Sequence, residues 1–235
     1  MVYLLQKLYD SCKEAFTSRN LNSSSPELLE HVRSLMDEMT LADLGLDEEF
    51  FIKSEYITKF PQAVFYLPIC MCQSFSICIF YLPQSSVIQL HDHPDMTVLC
   101  KLLFGSIHVK AYDWVDPQGR PQRVGDSNAK LARLFMQDVF TAPCEPSVLY
   151  PRSGGNIHAL TSITECAVLD VLVPPYSEEL GRPCTYYLDF PCELDSIDGT
   201  VLHGHTEQTL AWLTEDKSHH DNVKVLPYEP PPIVF

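Results

Sequence analysis

Residues 88–98 read Ile-Gln-Leu-His-Asp-His-Pro-Asp-Met-Thr-Val, and the two histidines in this stretch are separated by one residue. Side chains alternate between the faces of a strand, so a strand through this stretch places His91 and His93 on the same face. A third histidine, His158, follows the pair Gly154-Gly155, which permits an unusual backbone before a strand. The spacing therefore makes His91, His93 and His158 candidate ligands of a metal site inside a barrel.

The remaining histidines are weaker candidates, because a lone histidine is more often a core or surface residue than a ligand. His108 would share a strand face with Ser106 and Lys110 and is predicted to be solvated. The other weak candidates lie on the polar face of a helix, in a polar glycine-containing loop and in the acidic tail: His31, His203, His205, His219 and His220.

One carboxylate interrupts an apolar strand. Asp170 lies in Cys-Ala-Val-Leu-Asp-Val-Leu-Val over residues 166–173, and a buried aspartate is rare unless it is paired or functional. Two interpretations stay open. Asp170 either accepts a structural hydrogen bond near a strand edge, or it receives the ammonium group of a substrate.

The composition limits the classes of partner. The chain has 235 residues, of which 46% are hydrophobic and 20% charged, and its net charge is −15. This excess of acidic groups repels phosphate backbones and anionic membrane surfaces, so nucleic-acid binding is not expected and basic partners are favoured. No apolar run is long enough to span a bilayer, so no membrane association is predicted.

The cysteines point to a reducing compartment. Their number, nine, is odd, and the N-terminal stretch lacks the features of a signal peptide. Reduced thiols in the cytoplasm and nucleus are therefore expected, with most of the cysteines acting as small core residues.

Hydrophobic periodicity divides the chain into a helical start and a β-rich remainder. Apolar residues recur every three or four positions in residues 2–16, and Ser25-Pro26-Glu27 is a typical start for a second helix that ends near Met39. From about residue 64, short β-rich runs alternate with turn residues, which is typical of a sandwich or barrel. We predict a helical cover over residues 1–60 and a barrel over residues 61–235, together one compact domain.

The sequence also predicts the secondary structure of two further segments, 115–130 and 210–213. Residues 115–130 are rich in proline and glycine and are predicted to be a surface loop. The apolar run Leu210–Leu213 is interpreted as a helix-like piece.

Several motifs, in the same order along the chain, resemble the plant cysteine oxidases and the related 2-aminoethanethiol dioxygenases. They are His-Asp-His-Pro at 91–94, Lys-Leu-Leu-Phe-Gly-Ser at 101–106, Tyr-Asp-Trp at 112–114, Gly-Gly-Asn-Ile-His at 154–158, Asp170, and Pro-Pro-Tyr-Ser at 174–177. The resemblance implies a mostly β fold, a cupin-like double-stranded β-helix barrel with N-terminal helices. It also implies mononuclear iron(II) held by His91, His93 and His158, with Asp170 and Tyr176 as catalytic residues.

The implied activity is the addition of both atoms of O2 to the thiol of an N-terminal cysteine on a protein, which gives the sulfinate. Such an enzyme senses oxygen in the cysteine branch of the N-degron pathway and acts in the hypoxia response. The expected partners are proteins with an N-terminal cysteine, including transcription factors with basic N-termini, and the enzyme is expected to be a monomer.

Two further features of the sequence concern Asp95 and the segment 184–186. Asp95 stands where many relatives have glycine, and Cys184-Thr185-Tyr186 resembles a segment that forms a thioether cross-link in the animal relative.

Two other functions stay open beside the oxidation of N-terminal cysteine. They are a dioxygenase of small thiols such as cysteamine or cysteine, and a non-catalytic cupin module that binds zinc.

Overall fold

A computed structural model describes residues 4–17, 25–116, 122–124, 127–192, 210–218 and 222–234. The helices precede all the strands in the chain. They are α1 (Leu4–Phe16), α2 (Pro26–Glu38), a short 3-10 helix (Ala42–Leu44), α3 (Glu48–Ile52) and α4 (Glu55–Lys59). No helix in these ranges combines the length and the apolar character needed to cross a membrane.

The rest of the described chain is built of strands. They are β1 (Val64–Met71), β2 (Ser76–Leu82), β3 (Val87–Asp92), β4 (Thr97–Phe104), β5 (Ser106–Trp114), β6 (Gln122–Val124), β7 (Ser127–Thr141), β8 (Ser147–Leu149), β9 (Ile157–Ser162), β10 (Cys166–Val173), β11 (Tyr187–Pro191), β12 (Leu210–Glu215) and β13 (Val223–Val225).

The strands form two sheets. The first sheet has the order β13-β1-β2-β10-β4-β8, and the second has the order β11-β12-β7-β5-β9-β3, with β6 paired to β7. Strand β10 pairs antiparallel with both β2 and β4, and β9 pairs antiparallel with both β3 and β5. These pairings between strands distant in sequence confirm the predicted double-stranded β-helix barrel with N-terminal helices.

The helices pack on the outer face of the first sheet. All eight residues of β10 are buried, because one face of the strand contacts the helices and the other faces the barrel interior. One hydrophobic core contains Leu8 of α1 and Met36 of α2 together with Leu169 and Val171 of β10. The helical cover and the barrel thus share a core, and we propose that residues 1–60 and 61–235 fold as one unit.

Helix α2 begins as the sequence predicts. The Ser25 hydroxyl accepts a hydrogen bond from the Leu28 amide at 3.2 Å, and Pro26 occupies the first helical turn. The sequence analysis proposed two helices in the cover. The structure adds the 3-10 helix, α3 and α4, which are too short for a periodic pattern to predict them.

Two sequence assignments are wrong. Leu210–Leu213 lies in strand β12 and is not helix-like, and five of the six β12 residues are buried. A strand buried on both faces loses its alternation of polar and apolar residues and resembles a buried helix segment. The loop predicted at residues 115–130 contains β6 and the start of β7, which pair as a hairpin.

A buried lysine joins the helical cover to the barrel. The Lys101 ammonium group donates hydrogen bonds to an Asp37 carboxylate oxygen at 2.6 Å and to the Cys144 carbonyl at 2.7 Å. Nearby on α2, Arg33 contacts Glu145 and the Pro146 carbonyl, each at 3.4 Å. Helix α2 therefore holds residues 144–146 against the first sheet.

The two partners of this ion pair should respond differently to mutation. The Lys101 side chain is 7% exposed and that of Asp37 is 51% exposed. Asp37→Ala leaves a buried charge without its counterion and should lower the free energy of unfolding by about 2 kcal/mol, whereas Lys101→Met should cost less than about 1 kcal/mol. Urea denaturation measures both, and a larger loss in Lys101→Met would contradict the prediction.

Candidate metal centre

The three predicted histidine ligands meet in the barrel. His91 at the end of β3 lies opposite His158 of β9 in the strand register, and His93 follows two residues later. The imidazole centroids are 4.8 to 4.9 Å apart in all three pairs, so the rings form a nearly equilateral triangle. Their nitrogen atoms include a set that lies within 4.8 Å of one another. The alternation that predicted a common face is confirmed.

Backbone carbonyls orient two of the rings. Nδ1 of His91 lies 2.8 Å from the Gln89 carbonyl oxygen, and Nδ1 of His93 lies 2.8 Å from that of Asn156. A carbonyl oxygen only accepts hydrogen bonds, so each Nδ1 must carry the proton. In a neutral ring Nε2 is then the unprotonated nitrogen, which is the atom that binds a metal.

Burial keeps the imidazoles of His93 and His158 neutral. His91, His93 and His158 are 7%, 3% and 6% exposed. Burial, with help from the neighbouring imidazoles, lowers the pKa of His93 to about 3 and that of His158 well below its usual range. Neutral imidazole is the form that binds metal, so the site is ready to accept a cation at neutral pH.

The donor set fits a divalent transition metal with an anionic ligand. Among the described residues, the three histidines are the only group of acidic, cysteine or histidine side chains close enough to hold an ion. Three neutral ligands leave the charge of such a metal uncompensated, which favours a thiolate as a further ligand. No carboxylate belongs to this set.

A loop before β9 positions His158. Gly154 and Gly155 have φ values of 86° and 80°, a region that glycine adopts without strain. The Asp113 carboxylate accepts hydrogen bonds from the amides of Gly154, Gly155 and Asn156 at 2.9 to 3.1 Å. The interpretation of the glycine pair is confirmed, but the sequence analysis missed the carboxylate that fixes the loop.

Asn156 is a second residue that the sequence analysis missed. Its side-chain oxygen accepts a hydrogen bond from the His93 amide at 3.2 Å, and its amide nitrogen donates to the Tyr150 and Met96 carbonyls. With its own carbonyl on His93 Nδ1, Asn156 holds His93 at two points. Its position two residues before His158, after two glycines, was the available signal.

Removal of the Asp113 carboxylate should loosen the loop that carries His158. We expect Asp113→Ala to lower the free energy of unfolding by about 2 to 3 kcal/mol, since three amides lose a charged acceptor, and to weaken metal binding by about 10 to 100-fold. Chelator competition and urea denaturation measure the two effects. The exposed Asp138→Ala serves as the control, and an Asp113→Ala protein with unchanged metal affinity would contradict the prediction.

The segment 185–187 closes the second sheet beside the metal centre. The Asp92 amide donates to the Thr185 carbonyl, and the Thr185 amide donates to the Asp92 carboxylate, each at 3.1 Å. The Tyr187 hydroxyl donates to the same carboxylate at 3.0 Å. Tyr186 forms a bridge with His91, and the two rings are 5.9 Å apart. This segment therefore forms one wall of the centre.

Tyr176 contacts the centre through its ring. The ring lies 5.6 Å from that of His93, and its hydroxyl donates to the Asp92 carbonyl at 2.8 Å. Burial raises the pKa of Tyr176 well above its usual range, with a contribution from a hydrogen bond with the Cys184 thiol. Tyr176, Cys184 and Tyr186 thus lie on the same side of the centre.

Asp170 lies on the opposite sheet and is buried. In the strand register it stands between Cys78 of β2 and Cys100 of β4. Its neighbours Leu169 and Val171 face the helices, so Asp170 faces the barrel interior. One carboxyl oxygen has no hydrogen-bond partner among the described residues. Burial raises the pKa of Asp170 to about 7, and a hydrogen bond with Cys100 partly offsets this increase.

An apolar cavity of about 230 Å³ extends from His158 between the sheets. Its walls include Leu102 and Val168 of the first sheet and Val109 and Leu160 of the second. Residues 144 and 145, which helix α2 holds, also line it. The mainly apolar lining of this His158 cavity disfavours water on one side of the centre.

The structure explains why aspartate is tolerated at position 95. Residues 93–96 form a turn in which the Met96 amide donates to the His93 carbonyl, and Asp95 has a φ of 54°. With Pro94 before it, this is the turn position that favours glycine. Aspartate adopts this conformation more readily than most side chains, so Asp95 preserves the turn beside the ligands.

The other histidines do not join the centre where they are described. His31 is exposed, and His108 is partly buried and outside the group of three. His203, His205, His219 and His220 lie outside the described residues.

The chain is similar to several characterised proteins. The family model PCO_ADO matches residues 35–233. Plant cysteine oxidase 2 of Arabidopsis thaliana is 44% identical over 97% of the chain and 83% of the relative, and plant cysteine oxidase 1 is 43% identical over 94% and 77%. A probable 2-aminoethanethiol dioxygenase of Dictyostelium discoideum is 31% identical over 83% and 96%. A solved RmlC-like cupin from Desulfovibrio desulfuricans, 18% identical, aligns over 49% of the chain and 86% of its own, with a TM-score of 0.32.

Proposed function

The chain belongs to the PCO_ADO family of thiol dioxygenases, and on this premise we propose that it oxidises the N-terminal cysteine of protein substrates to cysteine sulfinic acid. The observation that carries the proposal is the set of three buried histidines without a carboxylate ligand. In the reaction the thiol and O2 combine to give the sulfinic acid, so both oxygen atoms enter the product. Sulfur gives up four electrons and O2 accepts them, and no further reductant is needed.

We propose iron(II) as the metal and His91, His93 and His158 as its ligands. When bound, iron would supply the one-electron chemistry that O2 requires to react with a thiolate. The carbonyls of Gln89 and Asn156 keep His91 and His93 oriented for this metal. Holding thiolate and O2 in one pocket would provide much of the acceleration.

The His158 cavity suits the co-substrate O2. Its lining is mostly aliphatic and aromatic, so it offers little to a charged or hydrogen-bonding ligand. O2 is small and apolar and partitions into such a space. The lining also limits the access of water to the reacting groups.

Asp170 and Tyr176 take different roles in this proposal. The buried carboxyl of Asp170 faces the barrel interior with one oxygen unpartnered among the described residues, and we assign it to the amino group of the substrate cysteine. The Tyr176 hydroxyl is already bound to the Asp92 carbonyl while its ring contacts His93. Tyr176 is therefore a positioning residue that fixes the backbone between the two histidines.

Mass spectrometry with labelled oxygen tests the reaction. A peptide that begins with cysteine should gain about 32 mass units under air and about 36 under ¹⁸O2, because both added atoms come from O2. A gain of about 34 under ¹⁸O2 would place one oxygen from water and contradict dioxygenation. Asp170→Asn should retain iron and turn over more slowly, with the exposed Asp138→Asn as the matched control.

The names of the relatives also leave a small-thiol substrate open, since the Dictyostelium protein is described as a 2-aminoethanethiol dioxygenase. Comparison of cysteamine, free cysteine and a cysteine-initiated peptide separates the two substrates, and equal turnover of all three would remove the claim on proteins. Tightly held zinc with no O2 uptake would instead support the non-catalytic module.

We further propose a role as an oxygen sensor of the N-degron pathway in the cytoplasm and nucleus, where substrate thiols stay reduced. The partners would be transcription factors and other proteins with basic N-terminal segments, attracted by the net charge of −15. This association should weaken as salt increases. The enzyme would act as a monomer.

A further inference from the structure

We propose that a polar groove along β3 binds the polypeptide chain that follows the N-terminal cysteine of the substrate. The groove has a volume of about 300 Å³, and its lining includes Gln62, Ser86, Val87, Gln89, Tyr186 and Asn222. We call it the β3 groove. The inference rests on the proposed oxidation of cysteine-initiated proteins and extends it to residues away from the metal.

The β3 groove and the metal centre share Tyr186 as a wall. Tyr186 lines the groove, and its ring lies 5.9 Å from the ring of His91. Gln89 also lines the groove, and its carbonyl accepts the hydrogen bond from His91 Nδ1. A chain whose first residue lies at the metal would therefore pass Tyr186 to reach the groove.

An unsatisfied polar group lies within the groove. Ser86 is 1% exposed, and its hydroxyl has no hydrogen-bond partner among the described residues. Leaving a buried hydroxyl unpaired is unfavourable, so such groups normally have a partner. An amide or carbonyl group of a bound peptide would provide one.

The β3 groove is chemically better suited to a peptide main chain than the His158 cavity is. A peptide carries one donor and one acceptor for nearly every residue, and each must be satisfied when it is buried. The His158 cavity is mainly apolar. The β3 groove offers the amide side chains of Gln62, Gln89 and Asn222, which can donate and accept.

Strand β3 sets the direction and reach of the bound chain. It is the last strand of the second sheet, and it runs from Val87 toward His91 and the metal. Residues 91 and 92 are already bonded to the segment 185–187, so among the described residues the open part of this edge is 87–90. A peptide that starts at the metal and follows the groove therefore runs antiparallel to β3. Four residues of extended chain span about 14 Å, so substrate positions 2 to 5 would contact the groove. Addition of a strand to a sheet edge is a known mode of peptide recognition.

Two variants test the groove with two substrates, Cys-Gly and a ten-residue peptide that begins with cysteine. Val87→Trp fills the groove at a residue that is already 37% exposed, and we expect its kcat/KM for the long peptide to fall about tenfold. Ser86→Ala removes one hydrogen bond and should lower the same value about fivefold. Cys-Gly should change less than about twofold in both. The control is Val139→Trp, another exposed strand valine.

A binding measurement avoids dependence on turnover. The long peptide with serine in place of cysteine should shift the backbone amide NMR signals of residues 86–89 in the full-length protein, and Val87→Trp should remove these shifts. Unchanged kinetics for the long peptide in both variants would overturn the groove, as would an equal loss with Cys-Gly. Absence of any thiol oxidation in the wild-type protein would instead count against the proposed function.

Discussion

The His158→Ala variant is expected to lose both iron and activity. With two imidazoles left, the metal loses one of its three protein ligands, and the triangle of rings 4.8 to 4.9 Å apart no longer surrounds it. We expect less than about 0.1 equivalent of iron after reconstitution, and a loss of kcat/KM of at least about 1,000-fold on a cysteine-initiated peptide. Metal analysis and mass spectrometry of the peptide measure the two quantities.

Controls separate the loss of metal from the loss of fold. His31→Ala changes an exposed histidine outside the centre and should keep full iron content and activity. The His158→Ala protein should retain the β-rich circular dichroism of the wild type, because the Gly154-Gly155 loop remains held by Asp113. Unimpaired sulfinate formation by this variant would overturn the assignment of the three histidines.

Deletion of residues 1–60 is expected to abolish soluble, folded protein. The helices cover apolar side chains on the outer face of the first sheet, including Phe65, Ile79 and Leu169, which are buried. Each large buried side chain contributes about 1.5 to 3 kcal/mol through removal from water. The free-energy cost of exposing many such side chains together exceeds the stability of a typical domain, which is about 5 to 15 kcal/mol. Expression and size-exclusion chromatography of residues 61–235 provide the measurement.

A point variant tests the same interface in the complete chain. Phe51 of α3 stacks on Tyr81 of β2 with a centroid distance of 4.3 Å and an interplanar angle of 5°. Phe51→Ala should lower the free energy of unfolding by about 3 to 5 kcal/mol, whereas Lys7→Ala, at an exposed position, should change it little. A soluble 61–235 fragment with a cooperative unfolding transition would contradict the proposal of one folding unit.

The sequence predicted the metal-binding group because its signal is local. The alternation that places His91 and His93 on one face needs no tertiary information, and glycines mark the approach to His158. The side chains that hold these ligands gave no comparable signal. Asp113 lies about forty residues before the loop it binds, and nothing in its neighbourhood indicates that three distant amides need an acceptor.

The errors in secondary structure have a related cause. Strand β12 is buried along nearly its whole length, so Leu210–Leu213 shows four apolar residues in a row instead of alternation. Segment 185–187 is held in place by hydrogen bonds with Asp92, which lies more than 90 residues earlier in the chain. Contacts between segments distant in sequence decide both structures, and a local pattern contains no information about them.

The attachment of α2 to the barrel connects a surface helix with a wall of the His158 cavity. Asp37 binds Lys101, and the side chains of Lys101 and Arg33 in turn hold residues 144–146. Cys144 and Glu145 of this segment line the His158 cavity. A substitution on the surface of the second helix therefore changes the support of a wall next to a ligand. Among homologues, α2 and residues 144–146 should evolve as correlated positions, and grafting the barrel of one relative under the helices of another should need matched residues at this contact.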